Sequence, residues 1–385
     1  MANNKKPMNN LDNKQLGLLI GGVVVLVVII VLLCVLIFGG KKEETEEVQE
    51  TVAEETTEES VEEEEVTEEG DISLLTGLPI DTEYVNKRPY AIMVENTKPA
   101  LPQYGLNTAG VIYEAPMEGG LTRFMALFDA NVDLEKIGNM RSARPYFVYT
   151  ATEFDAIFAH IGQSVHAENL LNTGICDDLN GVKGDMANTF YRTSDRKAPH
   201  NSYTSAEKLK EAVEKKGYRD TYKEGYTGHY VFAPANEPVT LDGCDDAAVI
   251  VPYFYENKPY FVYNEETKTY DRFEYQSAEV DAVDGKQISV TNIIFQSSEA
   301  PSGIYGGTQY VNFPLNGKGV GKYFTNGKVM DITWEKAGDT EVTHYYDANG
   351  EELKINRGQT WVCLIELQHF EENAIYATKA DYENR

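Results

Sequence analysis

Two arginines stand just ahead of a proline in the run Arg141-Ser142-Ala143-Arg144-Pro145. Proline is at home in the first turn of a helix, where its missing N–H is not needed. The amino end of a helix offers free N–H groups to an anion, and a guanidinium binds carboxylate or phosphate through paired hydrogen bonds. The chemistry implied is recognition of a negative group. The competing expectation is that Arg141 and Arg144 pair with the chain's own acids, such as Glu114, Glu118 or Asp129. A second polar cluster, YRTSDRKAPHNSY, places Arg192, Asp195, Arg196, Lys197, His200 and Asn201 on one expected loop. Long polar loops held by a scaffold often bind or react. Asp195 can orient His200 as a carboxylate orients an imidazole beside a nucleophile, yet no motif supplies the nucleophile. The bland alternative is a histidine that anchors its own loop.

Other patterns carry less. Glu114 and Glu118 are close in sequence, but Pro116 between them breaks any smooth helical face. As glycosidase carboxylates they would need a separation of about 5–9.5 Å. GKGVGK, from Gly317, lacks phosphate-loop spacing and reads as a turn or bulge. HExxH and GxSxG do not occur, and His160 and His166 have no ligand-like neighbours. No metal and no cofactor is expected.

The elements that position these residues follow from periodicity. RPYAIMVEN, AGVIYEAP and LTRFMALFD read as strands covered on both faces, because their apolar runs do not alternate. After the arginine loop, Phe147, Val148, Ala151 and Phe154 recur at helical spacing, and DAIFAHIG returns as a strand. Strand, helix and strand form a βαβ unit, whose two strands are expected to be parallel and adjacent or nearly so. Ligands bind open sheets at the carboxyl ends of parallel strands. That places the loop after Phe128 beside His160–Ser164, at the amino end of the helix begun by Pro145. Residues 163–203 look irregular. Thr204-Ser205-Ala206-Glu207 resembles a capping box opening a helix that closes at Gly217. Beyond Tyr218, aromatic and polar residues alternate, Asn326-Gly327 and Asn349-Gly350 signal hairpins, and TWVCLIEL reads as a final buried strand. No internal repeat is present. The expected fold class is α+β: an N-terminal α/β domain (71–225) and a C-terminal, mostly antiparallel β domain (226–385), a barrel or sandwich.

The 385 residues carry a formal charge of −28, but residues 43–70 hold fifteen Glu and no Lys or Arg; without them the charge is −13. A chain still that acidic is not expected to bind nucleic acid, which needs a basic face. Leu16–Phe38 contains no charge, and at 1.5 Å per residue its helix is about 34 Å long, enough to span a bilayer. The expectation is a basic cytoplasmic leader (1–15), a transmembrane signal-anchor (16–38) and a disordered Glu-rich linker (39–70), with the globular part extracellular. Cys34 lies in the span after Leu33, where lipidation wants a smaller residue. Cys176, Cys244 and Cys363 select no disulfide by spacing.

LLTGLPID (74–81), IYEAPMEGGLTRF (112–124), KIGNMRSARPYF (136–147), FAHIG (158–162), SDRKAPHNSYTSAEKL (194–209), TNGKVMDITW (325–334) and NRGQTW (356–361) carry a family likeness. The chain resembles the YerB-like lipoprotein family of Gram-positive bacteria, a two-part domain of unknown function. The resemblance implies an envelope location outside the membrane and no particular reaction. The candidate binding set is Glu118, Arg123, Arg141, Arg144, His160, Arg196, His200 and Asn201; His166 falls outside the matching stretches. The first reading is a membrane-tethered binding or scaffold protein of the cell envelope with an anion-binding crevice. Its partners would be a cell-wall polymer or a wall-synthesis protein, the latter also through the tyrosine-rich β domain. The alternative is a cell-wall hydrolase or transferase using Glu118 or the Asp195/His200 pair.

Overall fold

Strands that are apolar at every position need cover on both faces, and the architecture supplies it. The computed structural model describes residues 70–385, Ala187 excepted. The expected leader and span (1–38), and the linker up to residue 69, lie outside the described residues. Among the described residues no helix is long and apolar enough to cross a membrane.

In chain order the elements that matter are β1 (Tyr90–Asn96), β2 (Val111–Pro116), β3 (Thr122–Phe128), α1 (Pro145–Glu153), β4 (Ile157–His160), α2 (Val165–Leu171), β5 (Asp178–Asn180) and α3 (Ala206–Lys216). Then follow β6 (Val249–Val251), β7 (Tyr260–Asn264), β8 (Thr269–Glu274), β9 (Asn292–Ser298), β10 (Ser302–Tyr305), β11 (Thr308–Val311), β12 (Gly317–Thr325), β13 (Lys328–Lys336), β14 (Thr360–Glu366) and β15 (Ala374–Tyr376). The larger sheet has the order Asp245–Asp246, β13, β12, β9, β14, β2, β3, β1, β4, β5. Strands from before and after residue 225 therefore share one sheet, with β14 paired in parallel to both β2 and β9. The smaller sheet runs β8, β7, β6, β15 and is antiparallel, as expected of the C-terminal half.

One expectation is corrected. The strands before and after α1 are not parallel: β3 is antiparallel to β1, whereas β4 is parallel to β1, which lies between them. The reason is the short β2–β3 connection. Met117 N donates to Leu121 O (2.7 Å), and Gly119 and Gly120 sit at φ +80° and +76°, where a side chain is strained. That turn makes β3 the returning arm of a hairpin, so it runs against its neighbours. Strands β9, β14, β2, β1, β4 and β5 all point one way, and their carboxyl ends lie along one edge.

Further differences are local. The stretch 163–203 contains α2 and β5, which complete a parallel crossover after β4. Helix α3 is capped by Ser205, whose hydroxyl accepts from Lys208 N, one residue after the expected Thr204; Thr204 instead donates to Thr189 O. Gly217 closes that helix at φ +65° as expected. Asn326-Gly327 turns the β12–β13 hairpin with both residues at positive φ, and β14 is central rather than last.

The period of two in the strands divides the core. Ile92, Val94, Ile112, Phe124, Phe295 and Trp361 face α3 and the smaller sheet. Met93, Tyr113, Met125, Leu127, Val362 and Leu364 face α1 and α2. Seven of the nine α1 residues are buried, among them Tyr146, Phe147 and Ala151. Each such large side chain contributes roughly 1.5–3 kcal/mol by leaving water.

The two sheets are pinned by an enclosed charge network. Arg272 of β8 donates from Nη2 to Glu114 Oε2 of β2 (2.8 Å) and pairs with Glu274 (3.4 Å) and Glu279. Trp361 Nε1 and Asn257 Nδ2 also donate to Glu114, at 3.2 and 2.8 Å, and the guanidinium lies 4.3 Å from the Trp361 ring. All four charged side chains are essentially inaccessible, and burial pushes the Glu274 carboxyl above its ordinary value. Removing one partner of a buried pair strands the others. Arg272→Met is expected to lower unfolding stability by about 3–5 kcal/mol, measured as a shift of the denaturant midpoint at constant slope.

Candidate anion-binding site

The segment Arg141–Arg144 is laid across the carboxyl ends of β1 and β4 by main-chain bonds. Arg141 N donates to Met93 O (3.0 Å) and Ile161 N to Arg141 O (3.0 Å). Ala143 N donates to Gly162 O (2.9 Å), and Ser164 N to Ala143 O (3.1 Å). Gly162, at φ +79°, turns the chain out of β4 beneath Ser142. With the backbone fixed, the two arginine side chains separate to neighbouring acids.

Arg141 Nη2 lies 2.5 Å from Glu95 Oε1 on β1. The same oxygen takes Thr97 Oγ1 (2.6 Å) and faces His200 Nδ1 (2.8 Å). His200 reaches this position because Asn139 Nδ2 donates to its carbonyl, and Arg196 in turn donates to Asn139 Oδ1 (3.1 Å). Glu95 is almost wholly buried, whereas the Arg141 and His200 side chains are about a fifth and a quarter exposed. Glu95 Oε2 and Arg141 Nε are enclosed without a hydrogen-bond partner among the described residues. The pair thus leaves a donor and an acceptor unused.

Arg144 grips Glu118 with Nε at 3.1 Å and Nη2 at 2.7 Å, a forked geometry that favours planar carboxylates. Glu118 Oε1 also accepts from Val311 N (3.4 Å) of the β10–β11 hairpin. Burial works to raise the Glu118 carboxyl, but the Arg144 guanidinium and the backbone donors outweigh it and hold it below its usual value. Arg123, opposite Glu95 in the β1–β3 register, donates from Nη1 to Ser142 O (2.6 Å) and has no ion pair among the described residues. Burial, then the neighbouring Arg144 cation, pushes it down to about 9, against the opposing pull of Tyr146 and Glu118. Three guanidiniums therefore share this edge with two carboxylates, and Arg123 is the one without an acid.

The structure gathers Glu118, Arg123, Arg141, Arg144 and His200, with Arg196 behind them bonded to Ala100 O, Pro102 O and Asn139. Two of the expected residues stand aside. His160 is fully buried, with Nδ1 on Gly162 O (2.8 Å) and Nε2 toward Asp178 (3.3 Å), so it braces the turn. Asn201 is tied within its own loop to Thr193 O and Arg192. The expected Asp195/His200 pair is not formed: Asp195 faces Lys136 (3.8 Å), and Glu95 is the carboxylate on His200. Glu114, the other expected acid, is locked in the Arg272 network. Glu95, Asn139 and Thr97 were not legible as site residues. The available signal was a carboxylate at the end of a buried strand, Val94-Glu95-Asn96, where only a functional or structural partner justifies a charge.

Two family models match this chain: the N-terminal domain of the protein of unknown function DUF3048 over residues 75–219, and its C-terminal domain over 249–362. The chain belongs to the DUF3048 family. A relative is the "Putative lipoprotein YerB" of Bacillus subtilis (strain 168), 33% identical over 299 residues, which are 76% of this chain and 85% of that protein. The crystal structure of YerB from Bacillus subtilis matches with a TM-score of 0.68 at 30% identity, over 79% of this chain and 99% of that one. The YerB-like resemblance read from the motifs is thereby shown.

Because the Glu118 carboxyl is lowered in the fold, its pairing stabilises above the ordinary value of 4.5 and is lost as pH falls through the lowered value. Glu118→Gln is expected to flatten that part of the acid branch, read as melting temperature against pH between about 6 and 3.

Proposed function

We propose that this protein is a ligand-binding component of the bacterial cell envelope that holds an acidic group, carboxylate or phosphate, at the carboxyl edge of its main sheet. Arg123 and Arg144 supply the charge, and Arg141 and His200 complete the rim. The observation that carries the reading is Arg123, a guanidinium with no ion pair among the described residues, beside two others that have one. Kinship with a protein named a lipoprotein supports the envelope location. The uncharged run at residues 16–38 supports a tether, with the globular part outside the membrane. A wall polymer bearing acid groups, or an acidic segment of a wall-synthesis protein, fits this chemistry. Glu118 is engaged by Arg144 and His200 Nδ1 by Glu95, which favours recognition over turnover.

Hydrolysis is the second reading, and one observation favours it. Glu95 orients His200 through Nδ1, which leaves Nε2 as the nitrogen able to serve a water or hydroxyl. Among the described residues no hydroxyl is hydrogen-bonded to the His200 ring, and Thr97 Oγ1 donates to Glu95.

Full-length protein is expected to be retained on purified Gram-positive wall carrying its anionic polymer, and less on the same wall stripped of it by acid. A charge-assisted contact is worth about 1.5–3 kcal/mol, so Arg123→Ala or Arg144→Ala should weaken retention roughly 10–100-fold. Equal retention by these variants would remove the site. Incubation with peptidoglycan should release no new reducing ends or amines. Product that disappears in His200→Ala would replace binding with catalysis.

A further inference from the structure

A hollow of about 320 Å³ opens on the same edge, at the ends of β2 and β14 and against the β10–β11 hairpin. Its size falls at the lower end of small-ligand sites. The lining includes both aromatic side chains and planar polar groups. Tyr253 and His369 stack at 4.6 Å with an angle of 19° between their planes. The Tyr255 side chain is two-thirds exposed, although it lines the hollow. Gln309, Gln368 and Glu366 supply amide and carboxylate groups. His369 is held between Glu366 (3.5 Å) and Glu372 (2.6 Å), and Gln368 Nε2 donates to Glu366 (2.9 Å), so this wall is pre-positioned. Gly120 forms the floor beside Tyr255: a Cβ there would stand 3.2 Å from that ring.

The lining holds no lysine or arginine, so an anion has no reason to enter. It is half polar in character, so a lipid chain has none either. A saccharide ring suits it: the ring presents C–H groups on its faces and hydroxyls around its rim. Aromatic faces cover the former, and groups that both donate and accept serve the latter. We infer that this hollow is a saccharide subsite, taking one or two neutral sugar rings between Tyr253, Tyr255 and the Glu366–His369 wall. The inference rests on the anion-binding reading for one element only, the acidic group attached to the sugar. Glu118 and Val311 join the two places: Glu118 holds Arg144 and the hairpin strand, and Val311 lines the hollow. An oligosaccharide carrying carboxylate or phosphate would lay its neutral ring in the hollow and its acid on Arg123 and Arg144.

The test is a microarray of neutral hexose and N-acetylhexosamine oligomers alongside carboxylate-bearing oligosaccharides, probed with full-length protein. Neutral oligomers should bind the wild type and the Arg123→Ala variant alike. Tyr255→Ala, on an exposed side chain that the fold does not need, should weaken them at least 10-fold. Acid-bearing oligomers should bind the wild type more tightly than neutral ones, with the difference lost in Arg123→Ala. Absence of any neutral oligomer among the binders, or binding unchanged in Tyr255→Ala, overturns the saccharide subsite and leaves the anion site standing. Neutral binding with no preference for acid-bearing oligomers keeps the subsite and removes the anion reading.

Discussion

Four main-chain hydrogen bonds splice residues 141–144 across the ends of β1 and β4, and the arrangement of charges on that edge depends on them. They hold the arginine segment as a short extended strut between two parallel strands. Once the strut is fixed, side-chain direction follows: Arg141 falls toward Glu95 and His200, and Arg144 toward Glu118. Carbonyl Ser142 O is left facing Arg123, which it holds at 2.6 Å.

The protein treats charge in two opposite ways. On the sheet-to-sheet side, Arg272 is buried against three carboxylates and Trp361, and Asn96 and Asn257 donate to its partner Glu114. That network serves to register the sheets, since β2 and β8 belong to different ones. At the carboxyl edge the balance is reversed, with cations in excess and the Arg141, Arg144, Glu118 and His200 side chains partly exposed. A closed network specifies structure; an open one with a surplus cation has capacity left for a ligand.

Much of this was readable from residue pattern, for identifiable reasons. The unbroken apolar runs around Ile92 and Ile112 mark doubly covered strands, and Pro145 and Gly217 mark helix ends, because each effect is local. The position of Arg141 and Arg144 was anticipated through a wrong route. Periodicity leads the chain to them from the carboxyl end of β3, but the Gly119-Gly120 turn reverses β3, and the segment returns to the edge from the other side. Strand direction is a long-range property that periodicity does not encode. Glu95 was missed for the same reason. Its partners Arg141 and His200 lie 46 and 105 residues away, and only the folded sheet shows which carboxylate meets the imidazole. The place of His160 at the carboxyl end of a parallel strand puts it in the candidate crevice, whereas its ring turns inward onto Asp178.

The surplus guanidinium is the central claim, and nitrogen NMR of the arginine side chains addresses it most directly. Full-length protein labelled with 15N-arginine would be titrated with inorganic phosphate, the Arg123, Arg141 and Arg144 Nε resonances being assigned by single Arg→Lys changes. The account predicts that Arg123 and Arg144 shift first and saturate together, while the enclosed Arg272 does not move. Equal, unsaturable drift of all arginine resonances, or shifts confined to arginines elsewhere on the surface, would contradict it.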